Sequence, residues 1–224
     1  MIKVLIFDLD DTLYYEKNYV LGGFREVATY LSSKYNISIE LLYDRCLQIL
    51  EKDGRGKIFD IICEENKFDE DVNKLVSIYR DAKPKLALYK DSIEILNWIK
   101  GNKLKSGIIT DGYNKVQWEK IKSLGLEKII DKIIVTDDYG EGFGKPNKRS
   151  YIDMIKFFNV NPKECVYIGD NPTKDFIGAK EIGINTVRII REYGDHINAK
   201  LDSKYEAEFT IYNLNEIKEI IFND

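Results

Sequence analysis

Short apolar runs of strand length and β-branched composition recur through the second half of the chain, at Lys105–Ile109, Lys132–Val135, Cys165–Ile168 and Asn185–Ile190. Further runs stand at Lys3–Phe7 near the start and at Glu208–Tyr212 near the end. Between them the apolar positions switch to helical spacing. Ile93, Leu96 and Ile99 form one stripe, and Asp91 with Glu94 predicts a capping box at its start. Val116, Trp118, Ile121 and Leu124 form a second, ended by Gly125, and Ile152, Ile155 and Phe158 a third. Phe176, Ala179 and Ile182 precede Gly183, and Asn213 with Glu216 opens a last helix through Ile217 and Ile221. Strands alternating with helices predict parallel strands joined by crossover helices, hence an α/β fold.

Residues 16–85 break the alternation. Their pattern is helical throughout, in stripes such as Phe24-Val27-Tyr30-Leu31, Leu41-Leu42-Cys46-Ile49, Ile58-Ile61-Ile62 and Val72-Leu75-Val76-Tyr79. Turn signals at Asn36, Asp53-Gly54 and Lys67 divide them, and Pro84 closes the block. The pattern predicts about four helices inserted after the first strand as a small bundle. The expected division is therefore a core of residues 1–15 and 86–224 and a helical insert of 16–85.

Composition narrows the function classes. A chain of 224 residues can bury an apolar core without disulfides or a structural metal. The 34 basic and 38 acidic residues give a net charge of −4, which speaks against nucleic acid as the partner. Cys46, Cys63 and Cys165 are too few and too scattered for a disulfide framework or a zinc site. The run Val4–Phe7 is shorter than a signal-peptide core, and no apolar stretch approaches the roughly 18 residues of a membrane span. The expectation is a soluble, cytoplasmic protein with no membrane partner, either a monomer or a homodimer.

Polar residues collect where the strands end. Strand one runs into Asp8-Leu9-Asp10-Asp11-Thr12, and ligands of open parallel sheets bind beyond the carboxyl ends of the strands. An EF-hand does not fit, because the glycine and glutamate that its loop requires are missing. Strand two ends in Thr110-Asp111-Gly112, a hydroxyl and successive N–H groups suited to phosphate oxygens. Lys145-Pro146-Asn147 precedes the third stripe; Tyr139 and Pro146 break the P-loop pattern that Gly140, Gly142 and Gly144 suggest. Strand four ends in Gly169-Asp170-Asn171-Pro172-Thr173-Lys174-Asp175, two carboxylates able to hold a hard cation. Each stretch alone is equally well read as a turn, a cap or a surface lysine.

Taken in order, Asp-x-Asp-x-Thr, Thr, Lys-Pro and Gly-Asp-x-x-x-x-Asp resemble the four motifs of the haloacid dehalogenase superfamily, over Lys3 to about Ile190. The resemblance implies a Rossmann-like core with a helical cap inserted after the first motif. It implies a Mg2+-dependent phosphatase acting on a small phosphomonoester through an aspartyl phosphate. Mg2+ would be held by Asp8, the backbone carbonyl of Asp10 and Asp170, with Asp175 orienting those ligands. Asp8 would be the nucleophile and Asp10 the general acid and base. Thr110 and the N–H groups of Asp111 and Gly112 would bind the transferring oxygens. An anionic aspartate beside an anionic phosphate costs roughly 4 kcal/mol at 4 Å and an effective dielectric near 20, so Lys145 would supply compensating charge.

An acid at position 10 favours phosphoryl transfer over dehalogenation, because halide leaves without a proton. A phosphomutase using the same core, and a catalytically silent phosphate-binding module, remain the alternative readings. In the insert, Arg55 and Lys57 of the loop Asp53-Gly54-Arg55-Gly56-Lys57 are candidates for substrate selection. Tyr79-Arg80 before Pro84, with Tyr89 and Ile109–Tyr113, is similar to small capped phosphatases of sugar phosphates, nucleotides or triose phosphates. Asn147 departs from the acid common after the motif's proline.

Overall fold

A computed structural model describes residues 1–222. The chain forms two compact units, Lys17–Lys85 and the remainder, Met1–Glu16 with Leu86 onward.

The larger unit is built on six strands: β1 (Val4–Phe7), β2 (Lys105–Thr110), β3 (Lys132–Val135), β4 (Cys165–Gly169), β5 (Asn185–Ile189) and β6 (Phe209–Ile211). All are parallel, in the order β3-β2-β1-β4-β5-β6. Every residue of β1 and β4 is buried, which explains their unbroken apolar reading: both faces of a parallel sheet are covered by helices. Val4, Ile6, Ile109, Cys165 and Tyr167 share one cluster with Tyr151, Met154, Phe176 and Ala179.

The smaller unit consists of α1 (Lys17–Tyr35), α2 (Ile39–Asp53), α3 (Ile58–Asn66) and α4 (Val72–Arg80). Its own core gathers Phe24, Val27, Leu31, Cys46, Ile49, Ile62 and Leu75, the residues of the apolar stripes. Its helices stop where turn residues stand: α1 ahead of Asn36 at φ 55°, α2 at Gly54 and α3 at Lys67 in the left-handed region. Asp71 caps α4 by accepting the Asn73 N–H at 2.9 Å.

The larger unit is completed by α5 (Lys90–Gly101), α6 (Asn114–Ser123), α7 (Arg149–Phe158), α8 (Ile177–Lys180) and α9 (Ile217–Phe222). Right-handed crossovers put α5 and α6 on one face and α7 and α8 on the other, because the path from β3 to β4 runs back past β1. The sheet therefore has its switch point at β1 and β4, whose carboxyl ends carry the first and fourth motifs.

The start of α5 differs from the sequence expectation. Asp91 does not cap α5; Tyr89 occupies that position without a side-chain cap. The Asp91 carboxylate instead accepts Arg191 Nη1 at 2.6 Å and the Leu214 N–H at 2.9 Å. A buried guanidinium offers a carboxylate more than a frayed helix end does. The stripe at 176–182 is also only partly α-helical, over the four residues of α8. The capping box at Asn213 and Glu216 is present as expected. Among the described residues no helix is long and apolar enough to cross a membrane.

Candidate active site

The carboxyl ends of β1 and β4 bring three carboxylates together. Asp8, Asp170 and Asp175 are all buried, and each offers an oxygen within 4.8 Å of the others. Strand pairing sets this convergence: the Asp8 N–H continues the ladder to the Ile168 carbonyl at 2.8 Å. Asp175 then turns back under the strand end, with its Oδ2 accepting the Asn171 N–H at 2.9 Å. A Cβ at Gly169 would fall on the Asp175 carboxylate, so only glycine permits that approach.

Lys145 lies at the centre of this group. Its Nζ is 2.8 Å from Asp8 Oδ1, 2.7 Å from Asp175 Oδ1 and 2.9 Å from the Tyr167 hydroxyl. With its side chain wholly buried, the ammonium is kept charged by the two carboxylates: burial pulls its pKa down, but Asp175 and Asp8 raise it well above the usual lysine value. The Lys145 loop is fixed through Asp111. That carboxylate accepts the Lys145 N–H at 3.1 Å and Thr136 Oγ1 at 2.7 Å, and pairs with Lys174 at 3.3 Å.

One ammonium does not balance three buried carboxylates. Burial pushes Asp8 up to about 7, against the opposing pull of Lys145. Asp170 is raised well above the carboxylate range by burial and by the charges of Asp175 and Asp8. Carboxylates crowded in this way exist ionised only beside added positive charge. An all-oxygen donor set with surplus negative charge suits a hard divalent cation such as Mg2+.

Asp10 stands apart. Its Oδ1 accepts the Tyr14 hydroxyl at 2.5 Å and Lys120 Nζ at 2.7 Å, and its Oδ2 accepts Gln117 Nε2 at 2.8 Å. Burial alone would raise its pKa; the Lys120 charge and these hydrogen bonds outweigh burial and lower it. The same Gln117 Nε2 lies 2.6 Å from Thr110 Oγ1, so Thr110 is joined to Asp10 through one amide. Gly112, at φ 133°, sits in a conformation that favours glycine and turns the chain between Thr110 and α6.

Of the residues expected from sequence, Asp8, Lys145, Asp170 and Asp175 converge directly, and Asp10 joins Thr110 in an adjoining network. Arg55 lies in the helical unit, on a cavity of about 240 Å³ walled by Phe24, Phe59, Val76 and Tyr79, with Arg80 also on its lining. Lys57 is exposed just ahead of α3. The sequence reading did not single out Gln117, Lys120, Tyr167 or Lys174. Gln117 and Lys120 are one helical turn apart between apolar positions, and the only signal they carry is that shared face.

The fold is that of a Rossmann-like α/β hydrolase with its acids at the switch point. The description "Haloacid dehalogenase-like hydrolase" matches residues 5–189, and the chain belongs to that family. A glyceraldehyde 3-phosphate phosphatase from Methanocaldococcus jannaschii is 33% identical, across 100% of this chain and 98% of its own. A second enzyme of the same description, from Methanopyrus kandleri, is 30% identical across 85% of each. A solved structure of a haloacid dehalogenase-type phosphatase from Thermococcus onnurineus shares 27% identity with a TM-score of 0.66, covering 100% of this chain and 99% of that one. Within the family the chain is a phosphoric monoester hydrolase.

Proposed function

We propose that the protein is a Mg2+-dependent phosphatase of a small sugar phosphate, of the glyceraldehyde 3-phosphate type, working through an aspartyl phosphate on Asp8. The observation that carries this reading is the contact of Lys145 Nζ with both Asp8 and Asp175 inside a cluster of three buried carboxylates. The relatives named for glyceraldehyde 3-phosphate, similar over most or all of the chain, support the substrate class.

In the first half-reaction a carboxylate oxygen of Asp8 attacks phosphorus and the ester P–O bond breaks, the leaving alkoxide taking a proton from Asp10. Asp10 is ionised beside Lys120 in the free protein and takes up that proton from solvent as substrate binds. In the second, water attacks the phosphorus of the aspartyl phosphate. Asp10 takes the water proton, the bond between phosphorus and the Asp8 oxygen breaks, and inorganic phosphate leaves. Lys145 offsets the repulsion between Asp8 and the phosphate and favours the ionised form of Asp8 against burial. Thr110, with the N–H groups of Asp111 and Gly112, receives the transferring oxygens.

Asp8, Asp170 and the Asp10 carbonyl would hold Mg2+, which when bound supplies further positive charge to the phosphoryl group. Asp175, whose two oxygens already accept Lys145, Tyr167 and Asn171, orients Lys145 and the strand end. Lys17–Lys85 are the inserted helical unit, and Arg55 and Lys57 of its loop contribute to substrate selection.

The test is phosphate release from glyceraldehyde 3-phosphate before and after chelation of divalent ions. Release should fall on the order of 10³-fold, equivalent to several kcal/mol, and return with Mg2+. It should need no bisphosphate activator, which a phosphomutase would require. Undiminished release in excess chelator would overturn the proposal.

A further inference from the structure

The Asp10 network contains two residues that the proposed chemistry does not yet use. Lys120 and Gln117 lie on α6, about a hundred residues along the chain from Asp10, and both are almost completely buried, at 3% and 1% exposure. A lysine buried on a helix costs several kcal/mol in desolvation unless it is closely paired. An apolar residue would pack such a position at less cost, so stability alone does not account for it. Lys120 Nζ meets Asp10 Oδ1 at 2.7 Å and Glu16 at 3.7 Å. Gln117 Nε2 holds the other Asp10 oxygen at 2.8 Å while lying 2.6 Å from the Thr110 hydroxyl.

The two Asp10 oxygens are thus held from different directions by two side chains one turn apart on one rigid helix. We infer that Gln117 and Lys120 are positioning residues for Asp10, fixing its carboxylate in register with Thr110 so that proton delivery and phosphate binding stay aligned. The inference rests on the proposed phosphatase reaction and on Asp10 as its proton carrier. Neither residue need touch substrate; each acts through a group that does. Alignment of this kind affects steps that need a proton and spares steps that do not.

Leaving groups separate the two cases. An alkoxide needs a proton to depart, whereas 4-nitrophenolate departs without one. The experiment compares phosphate release from 4-nitrophenyl phosphate and from an alkyl ester, in wild-type, Lys120→Met, Lys120→Arg and Gln117→Leu proteins with saturating Mg2+. The alkyl ester is glyceraldehyde 3-phosphate, or glycerol 3-phosphate where wild type does not hydrolyse the former.

For Lys120→Met and Gln117→Leu, kcat/KM on the alkyl ester should fall about 10- to 100-fold, the size of effect seen for outer-shell partners. That ratio reports the half-reaction that expels the leaving group. The fall in kcat/KM on the aryl ester should be at least several-fold smaller, while kcat on both esters shares whatever loss falls on hydrolysis of the aspartyl phosphate. Lys120→Arg should recover part of the alkyl activity, since it restores a cation opposite Asp10.

Equal losses of kcat/KM on both esters would overturn the inference and mark the pair as structural. Unchanged alkyl activity in both Lys120→Met and Gln117→Leu would overturn it equally. Should Lys120→Met fail to fold, Gln117→Leu and Lys120→Arg decide by the same comparison. A wild-type protein inactive on every ester would remove the phosphatase reading itself, and the inference with it.

Discussion

Asp8→Asn protein is expected to fold normally and to release phosphate on the order of 10⁴-fold or more slowly than wild type. The amide retains an oxygen at the position that accepts Lys145 Nζ at 2.8 Å, so the side-chain packing is preserved. What is lost is the nucleophile, and neither Asp175 nor Asp10 is placed to replace it. Asp175 holds both oxygens in bonds to Lys145, Tyr167 and Asn171, and Asp10 is turned into its own network. The same change removes one negative charge from three crowded carboxylates. The metal-free variant should therefore melt at or above the wild-type temperature. Phosphate-release kinetics and a thermal melt on the same preparation check both halves. Wild-type turnover in a folded Asp8→Asn protein would place the nucleophile elsewhere.

The largest expected effect on stability lies away from the carboxylate cluster. Arg191 is 8% exposed and binds several groups at once, Ser92 Oγ at 3.5 Å among them. Its Nη1 meets Asp91 at 2.6 Å, its Nη2 and Nε meet the Thr12 carbonyl at 2.5 and 3.2 Å, and its guanidinium stacks 4.1 Å from the centre of the Tyr89 ring. Arg191→Ala leaves Asp91 buried and the Thr12 carbonyl without its donor. Breaking a buried pair from one side costs about 3–5 kcal/mol, and chemical denaturation should show a loss of that size. Because Thr12 follows Asp10 and Asp11 in the first motif, activity should fall even under conditions where the variant is folded. An Arg191→Met/Asp91→Leu double variant should recover much of the stability, since it removes both charges together. A loss below about 1 kcal/mol in the single variant would mean that water replaces the guanidinium.

How far the sequence could be read follows from the kind of signal each feature carries. The strands were legible because β1 and β4 lie inside a parallel sheet, where burial on both faces leaves an uninterrupted apolar run. The two-unit division was legible because helical spacing persists from 16 to 85 with no strand in between. The converging acids could be placed because Asp8 and Asp170 each follow a strand directly, with Asp175 at the end of the turn after β4, and a parallel sheet aligns strand ends. Asp91 misled, since an acid three residues before a glutamate at a helix start satisfies the local rule, while its true partner, Arg191, is a hundred residues distant. Gln117 and Lys120 were invisible for the same reason. On a helix, polar residues one turn apart read as solvated surface, and only the tertiary fold brings Asp10 against them.

The proposed mechanism puts a covalent phosphoryl group on Asp8 during turnover. Protein mixed with glyceraldehyde 3-phosphate and Mg2+, quenched in acid within the first turnovers and reduced with borohydride, should contain homoserine in place of Asp8 when its peptides are weighed. The same treatment of Asp8→Asn protein should leave every aspartate unmodified. Rapid phosphate release with Asp8 unmodified at every quench time, or reduction at a different carboxylate, would contradict the account.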